Sequence, residues 1–151
     1  MIIVQVKSQL YLVTVFVLIS LSSCSEEHHG RIDNITVEVT GEEYNWYFRY
    51  PGEDGELGTE DDKFSKQNLY LPDNTNVTLN LKSKDYVYNV TLPEIGKKEI
   101  AVPDLEFSLH FTTQGESTWE FKGDQFCGFS HETLIGKVFI REQASEGFYT
   151  W

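Results

Sequence analysis

The sequence predicts an all-β fold, a sandwich or barrel of short strands joined by Greek-key connections. Three observations point to it. Apolar and polar residues alternate with a period of two in one segment after another. Clusters of turn-forming residues, "PGEDGELG", "PDNTN" and "TTQGES", separate those segments. No stretch carries the apolar spacing of a helix of any length. The chain has 151 residues, room for one such domain with an anchor and too few for two ordinary domains. With 40% hydrophobic and 14% aromatic residues it can fill a packed core, so wholesale disorder is excluded.

The N-terminal segments come first in the chain. Residues 1–23 read as an export signal or a short membrane anchor. Lys7 is their single charge, and Leu10 to Leu21 form an apolar run shorter than the roughly 20 residues a spanning helix needs. The run ends in Leu21-Ser22-Ser23-Cys24, which resembles the lipobox of bacterial lipoproteins; on that resemblance Cys24 becomes the lipidated first residue. An uncleaved anchor is the other reading, and both place the domain on the outer face of a membrane. Residues 24–33 are a polar tether in which His28 and His29 are solvated. Residues 34–142 form the domain and 143–151 a C-terminal tail.

Within the domain, Ile35, Val37 and Val39 alternate with Thr36, Glu38 and Thr40. Val77, Leu79 and Leu81 alternate with Thr78, Asn80 and Lys82, and Leu105, Phe107, Leu109 and Phe111 with polar neighbours that include His110. Each set places its apolar members on one face. Shorter strands are expected over Tyr44–Tyr50, Asn68–Leu71, Tyr86–Leu92, Ser117–Lys122 and Lys137–Arg141. Many short strands at this spacing imply antiparallel pairing. The Asn-x-Thr triplets at Asn34, Asn76 and Asn89 read as strand composition, since the lipobox points to a bacterium.

The formal net charge of -12 leaves no basic face for phosphates, so a nucleic-acid partner is excluded; a basic protein or a divalent cation suits it better. If Cys24 carries lipid, Cys127 is the one thiol left and no intrachain disulfide can form. Cys127 and His131 stand four apart in "GDQFCGFSHETL", as metal ligands on a loop would. The acidic stretch "EDGELGTEDD" holds Asp54, Asp61 and Asp62, hard oxygen ligands of the kind calcium takes, although its spacing is not that of an EF-hand. A solvated hairpin tip is the plainer expectation there.

From about Asn34 to Glu142 the chain resembles the periplasmic copper domain of cytochrome c oxidase subunit II, a cupredoxin. Three segments carry the resemblance. In "GEEYNWYFRYPG", Gly41, Trp46, Phe48, Tyr50 and Pro51 keep the family's aromatic pattern, with Glu43 and Tyr44 in place of a glutamine and a first tryptophan. The resemblance gives Tyr44 and Trp46 the place where electrons enter. In "SKDYVYNVTLPEIGKKEIAVP", Ser83, Asp85, Pro93, Gly96, Lys98 and Pro103 hold the register, and Tyr88 stands where the family has its first copper histidine. Ile100 stands where the family has an acidic docking residue. In "GDQFCGFSHETL", Cys127, Gly128 and His131 match the ligand loop, Gln125 takes the glutamate whose carbonyl ligates, and Gly123 and Leu134 replace a cysteine and a methionine.

The family's centre holds two coppers bridged by two thiolates, and one thiolate cannot bridge them in the same way. The resemblance therefore implies a degenerate copper site, and no resident cofactor is expected. The expected role is an accessory or structural component of a respiratory complex, beside oxidase subunits or a basic cytochrome c. The alternative is an electron-transfer subunit of a haem-copper oxidase with a single copper on Cys127, His131, Gln125 and Tyr88. A thiol or copper-delivery protein using Cys127 is a third reading. No nucleophile–base pair or phosphate loop is present, so independent enzymatic chemistry is not expected.

Overall fold

The computed structural model describes residues 33–125 and 132–142. The chain divides into two units, Met1–Arg31 and Ile32–Trp151, and every described residue belongs to the second. Ten strands succeed one another: β1 (Asp33–Glu42), β2 (Asn45–Tyr50), β3 (Lys63–Lys66), β4 (Leu69–Pro72) and β5 (Thr75–Ser83), then β6 (Tyr88–Leu92), β7 (Lys97–Ala101), β8 (Phe107–Thr112), β9 (Ser117–Gln125) and β10 (Ile135–Arg141). Single 3-10 turns at Pro93–Ile95 and Glu132–Leu134 are the helical pieces among the described residues.

The strands form two five-stranded sheets, ordered β3-β2-β1-β5-β8 and β4-β10-β9-β6-β7. Period-two patterning sorts their side chains. Val77, Leu79 and Leu81 of β5 are buried while Asn76, Thr78, Asn80 and Lys82 lie on the other face. The inward rows meet in one core containing Val37, Val39, Trp46, Phe48, Tyr50, Phe121 and Ile140. On the outward face of the first sheet, His110 pairs with the Thr78 hydroxyl at 3.0 Å, as its place on the polar side of the pattern predicts.

Pairing direction departs from the antiparallel expectation. β1 runs parallel to β5, with Val37 opposite Leu79 and Val39 opposite Leu81, and β10 runs parallel to β4. Alternation reports which face is buried and carries no information on direction. Parallel neighbours need a crossover, and the chain makes one by placing β4 in the second sheet before returning to the first with β5.

Two strands escape a reading by alternation, and one is shorter than alternation predicts. β3 ("KFSK") and β7 ("KKEIA") are edge strands, where charge blunts the open hydrogen-bonding edge and removes the apolar signal. Phe64 of β3 is exposed, with the Arg49 guanidinium 5.6 Å above its ring. Leu105 lies outside β8: Asp104 takes a left-handed φ of 63°, which breaks the extended run and leaves Leu105 57% exposed.

The turn between β3 and β4 is clasped to β10. Gln67 Nε2 donates to the carbonyls of Thr133 and Ile135 at 2.5 and 2.9 Å. Gly136 passes so close that a Cβ on it would lie 1.8 Å from the Gln67 carbonyl oxygen. A Gly136→Ala substitution must therefore separate β10 from this turn. It should lower stability by about 1–3 kcal/mol, the usual cost of overpacking, and urea denaturation followed by circular dichroism measures it. A variant as stable as the parent would contradict this close approach.

Candidate functional site

β6 and β9 are antiparallel neighbours, with Tyr88 opposite Gln125 and Val90 opposite Gly123. The 3-10 turn just past the ligand loop brings Leu134 to the same end of the sandwich, where its carbonyl accepts from Trp46 Nε1 at 3.0 Å. The described ligand positions of the resemblance, Tyr88, Gly123, Gln125 and Leu134, thus gather at one end of the domain. Cys127 and His131 lie outside the described residues, as do Cys24, His28 and His29.

Trp46 occupies the centre of this end. Its indole is buried edge-on to Tyr88 and Phe121, with ring centroids 5.5 and 5.4 Å away. Each such pair contributes about 0.5–1.5 kcal/mol beyond the area it buries. The same indole lies against Gly123, where an added Cβ would be 2.5 Å from Cζ2 and 2.7 Å from Nε1. Gly41 gives Tyr88 the same clearance, since a Cβ there would sit 2.5 Å from the tyrosine ring. Tyr88 and Leu134 are fully buried. None of the three positions Tyr88, Gly123 and Leu134 offers an imidazole, a thiolate or a thioether, and the Trp46 indole fills the space beside Gly123.

The Tyr88 hydroxyl is engaged on both sides. It donates to Asp85 Oδ1 at 2.7 Å and accepts from the Tyr44 amide at 3.3 Å. Burial, and then the Asp85 carboxylate, push the phenol above its ordinary value of 10.0, so it stays protonated at neutral pH. A phenolate ligand is the opposite of what this geometry stabilises.

Asp85 also holds the hairpin between β1 and β2. Glu43 and Tyr44 form its two-residue turn with φ of 50° and 60°, a conformation that normally selects Asn-Gly. Asp85 Oδ2 accepts from the Glu43 amide at 2.6 Å, and Asn45 Nδ2 donates to the Glu43 carbonyl at 2.8 Å. The Thr133 hydroxyl donates to the Tyr44 carbonyl. These bonds over-determine a tip that its own residues disfavour. Burial works to raise the Asp85 carboxyl, but the Tyr88 hydroxyl and the amides of Glu43 and Tyr86 outweigh it and hold the carboxyl below its ordinary value.

Tyr44, at the expected electron-entry position, stacks on Tyr86 at 5.3 Å and meets Tyr88 edge-on at 6.4 Å. A side-chain hydrogen bond with Tyr86, then partial burial, raise its phenol. Tyr44 and Trp46 therefore both reach one aromatic cluster through Tyr88, with Tyr44 toward the surface and Trp46 inside. Sequence reasoning uses Asp85 only as a register mark and overlooks Tyr86 and Thr133. The available signal is Asp85 three residues before a tyrosine that replaces a histidine.

In the acidic loop the carboxylates are engaged by the loop itself. Asp61 Oδ2 accepts from the amides of Glu53 and Asp54, and Asp61 Oδ1 from the Thr59 hydroxyl at 2.6 Å. That hydroxyl, above all, holds the Asp61 carboxyl below its ordinary value. Asp54 Oδ1 accepts from the Glu56 amide at 2.9 Å. Asp62 accepts from the Gly58 amide and pairs with Arg49, its side chain 1% exposed. Among the described residues no three His, Cys, Asp or Glu side chains gather to hold a metal.

The Tyr88–Asp85 bond sets a pH dependence. Asp85 titrates lower in the folded state, so its contribution is complete above the ordinary aspartate value of 3.8 and is lost as pH falls through the depressed folded value. Tyr88→Phe should cost about 1 kcal/mol at neutral pH, a bond to a charged group discounted for the exposure of the carboxylate. The difference from the parent should shrink as pH drops below that value. Urea midpoints at neutral and acid pH test this, and a pH-independent difference would refute the assignment.

No family model matches the chain. Among curated proteins it is similar to the alternative cytochrome c oxidase subunit 2 of Bradyrhizobium diazoefficiens, 26% identical over 141 residues, covering 79% of this chain and 50% of that protein. The cytochrome c oxidase subunit 2 of Thermostichus vulcanus is 25% identical over 127 residues, covering 84% of this chain and 35% of the relative. The chain thus spans half or less of the length of these two relatives. Among solved structures, the periplasmic domain of subunit II of cytochrome oxidase from Bradyrhizobium japonicum superposes with a TM-score of 0.61 at 17% identity. That match covers 76% of this chain and 88% of that domain. Sequence relatives and fold agree with the register of the three motifs: this chain is similar to cytochrome c oxidase subunit II, and its β-sandwich has the fold of that subunit's periplasmic domain.

Proposed function

We propose that this chain is an accessory component of a respiratory oxidase, a subunit II-type domain held on the outer face of a bacterial membrane with its binuclear copper centre lost. The observation that carries the reading is the contact of the Trp46 indole with Gly123. The first cysteine of the family's loop is replaced by a residue with no side chain, and the room a thiolate would need is filled by the indole. Tyr88 supplies a protonated phenol and Leu134 an apolar side chain in place of a nitrogen and a sulfur ligand. A thiolate-bridged pair does not fit these residues.

In this reading residues 1–23 are a signal or short anchor, Cys24 carries the lipid, residues 24–33 are the tether, residues 34–142 the docking domain and 143–151 a tail. The acidic surface suits oxidase subunits or a basic cytochrome c, because complementary charge steers encounter. Membrane attachment is tested directly. Cys24→Ser should move the protein from the membrane fraction to the soluble periplasmic fraction, and unchanged membrane retention would count against lipidation.

Copper reconstitution tests the loss of the centre. The purified full chain, given copper and assayed by elemental analysis and visible absorption, should bind fewer than two coppers and show no intense thiolate-to-copper band. Its thermal unfolding should not shift with metal. Two coppers per chain would overturn the reading. A single copper with an intense band that vanishes in Cys127→Ser would replace it with an electron-carrying subunit of one-copper type.

A further inference from the structure

We infer that Tyr88 is an oxidisable tyrosine whose radical is held by proton transfer to Asp85, and that Tyr44 and Tyr86 are its route to the surface. The inference needs no metal and stands apart from the proposed accessory role. Four oxidisable rings lie in contact at the candidate site. Tyr86 is 42% exposed and stacks on Tyr44 at 5.3 Å. Both meet Tyr88 edge-on, at 6.2 and 6.4 Å, and Tyr88 meets Trp46 at 5.5 Å. Beyond Trp46 the next rings among the described residues are Phe121 and Phe48, which are far harder to oxidise, so among these residues the redox-competent cluster ends there.

Oxidation of a phenol or an indole makes its X–H proton strongly acidic, so the electron leaves most readily where a base already accepts that proton. The four rings differ in this respect. The Trp46 N–H donates to the Leu134 backbone carbonyl, which cannot take a proton. Tyr44 and Tyr86 stack ring on ring. Tyr88 donates its hydroxyl to a carboxylate, Asp85 Oδ1 at 2.7 Å. The carboxylate has another donor on Oδ2 and stays in place when it receives the proton.

The balanced step has one electron leaving Tyr88 for a one-electron oxidant of high potential, such as an oxidised metal complex. The Tyr88 O–H bond breaks, its proton forms an O–H bond on Asp85, and a neutral tyrosyl radical remains in a fully buried ring. One electron from a reductant, with return of the same proton, restores the pair. Burial shields the radical from solvent and from coupling to a second chain, while exposed Tyr86 gives the oxidant a point of contact.

The test uses the full chain with a photo-generated ruthenium(III) polypyridyl oxidant, freeze-quenching and electron paramagnetic resonance. The parent should yield a tyrosyl signal that decays more slowly in H2O than the signal of Asp85→Asn, and forms more slowly in D2O than in H2O. Tyr88→Phe should lose most of that long-lived signal. Tyr86→Phe removes only the hydroxyl of a partly exposed ring and keeps its packing, so it controls for folding; it should slow radical formation several-fold with the yield retained. Equal radical lifetimes in the parent and Asp85→Asn would overturn the inference. So would a long-lived signal that survives in Tyr88→Phe, which would place it on another tyrosine.

Discussion

The contact between Trp46 and Gly123 joins the two sheets of the sandwich. Trp46 stands on β2 of one sheet, and Gly123 and Phe121 on β9 of the other, so the indole bridges the inter-sheet gap at the end where the ligand loop begins. Its Nε1 hydrogen bond to the Leu134 carbonyl then fixes the turn on the far side of that loop. Any side chain at position 123 would compete with the indole for the same volume, and interiors packed at crystal density cannot take both. The identity of one small residue thereby decides whether the end of the sandwich is a core or a cavity.

Asp85 depends on this packing and in turn restrains the surface above it. Tyr88 is wedged between Gly41 and Trp46, and its hydroxyl donates to Asp85. With one carboxylate oxygen held by that phenol, the other accepts the Glu43 amide at the strained hairpin tip. The left-handed backbone at Glu43 and Tyr44 costs of order 1 kcal/mol or more for each non-glycine residue, and the bonds from Asp85, Tyr88, Asn45 and Thr133 offset it. The orientation of Tyr44 on the surface is thus set from the buried ring outward.

Much of this was legible in the sequence, for identifiable reasons. Period-two patterning located the central strands because each has one face in the core and one in water, as in β5 with Val77, Leu79 and Leu81 inside. Edge strands β3 and β7 stayed hidden because charge there protects an open edge and erases the alternation. The parallel pairing of β1 with β5 could not be read at all, since direction depends on where the chain crosses between sheets. At the candidate site, the family resemblance aligned Tyr88, Gly123, Gln125 and Leu134, and the strand register puts Tyr88 opposite Gln125. The Tyr88–Asp85 bond and the stacking of Tyr86 on Tyr44 are side-chain directions, which no spacing encodes.

Direction also bears on the proposed loss of the copper centre. A ligand shell needs lone pairs converging on one point, as imidazole nitrogen, thiolate and thioether provide. Here each of these three positions turns its polar atoms away from such a point or has none. The Tyr88 oxygen faces Asp85, Leu134 contributes only its carbonyl, already taken by Trp46, and Gly123 presents backbone to an indole. These replacements support one another: a small residue at 123 admits the indole, the indole supports the Tyr88 ring, and the ring needs the carboxylate three residues before it. Residues in such contact couple energetically, so a change at one member should be felt at the others.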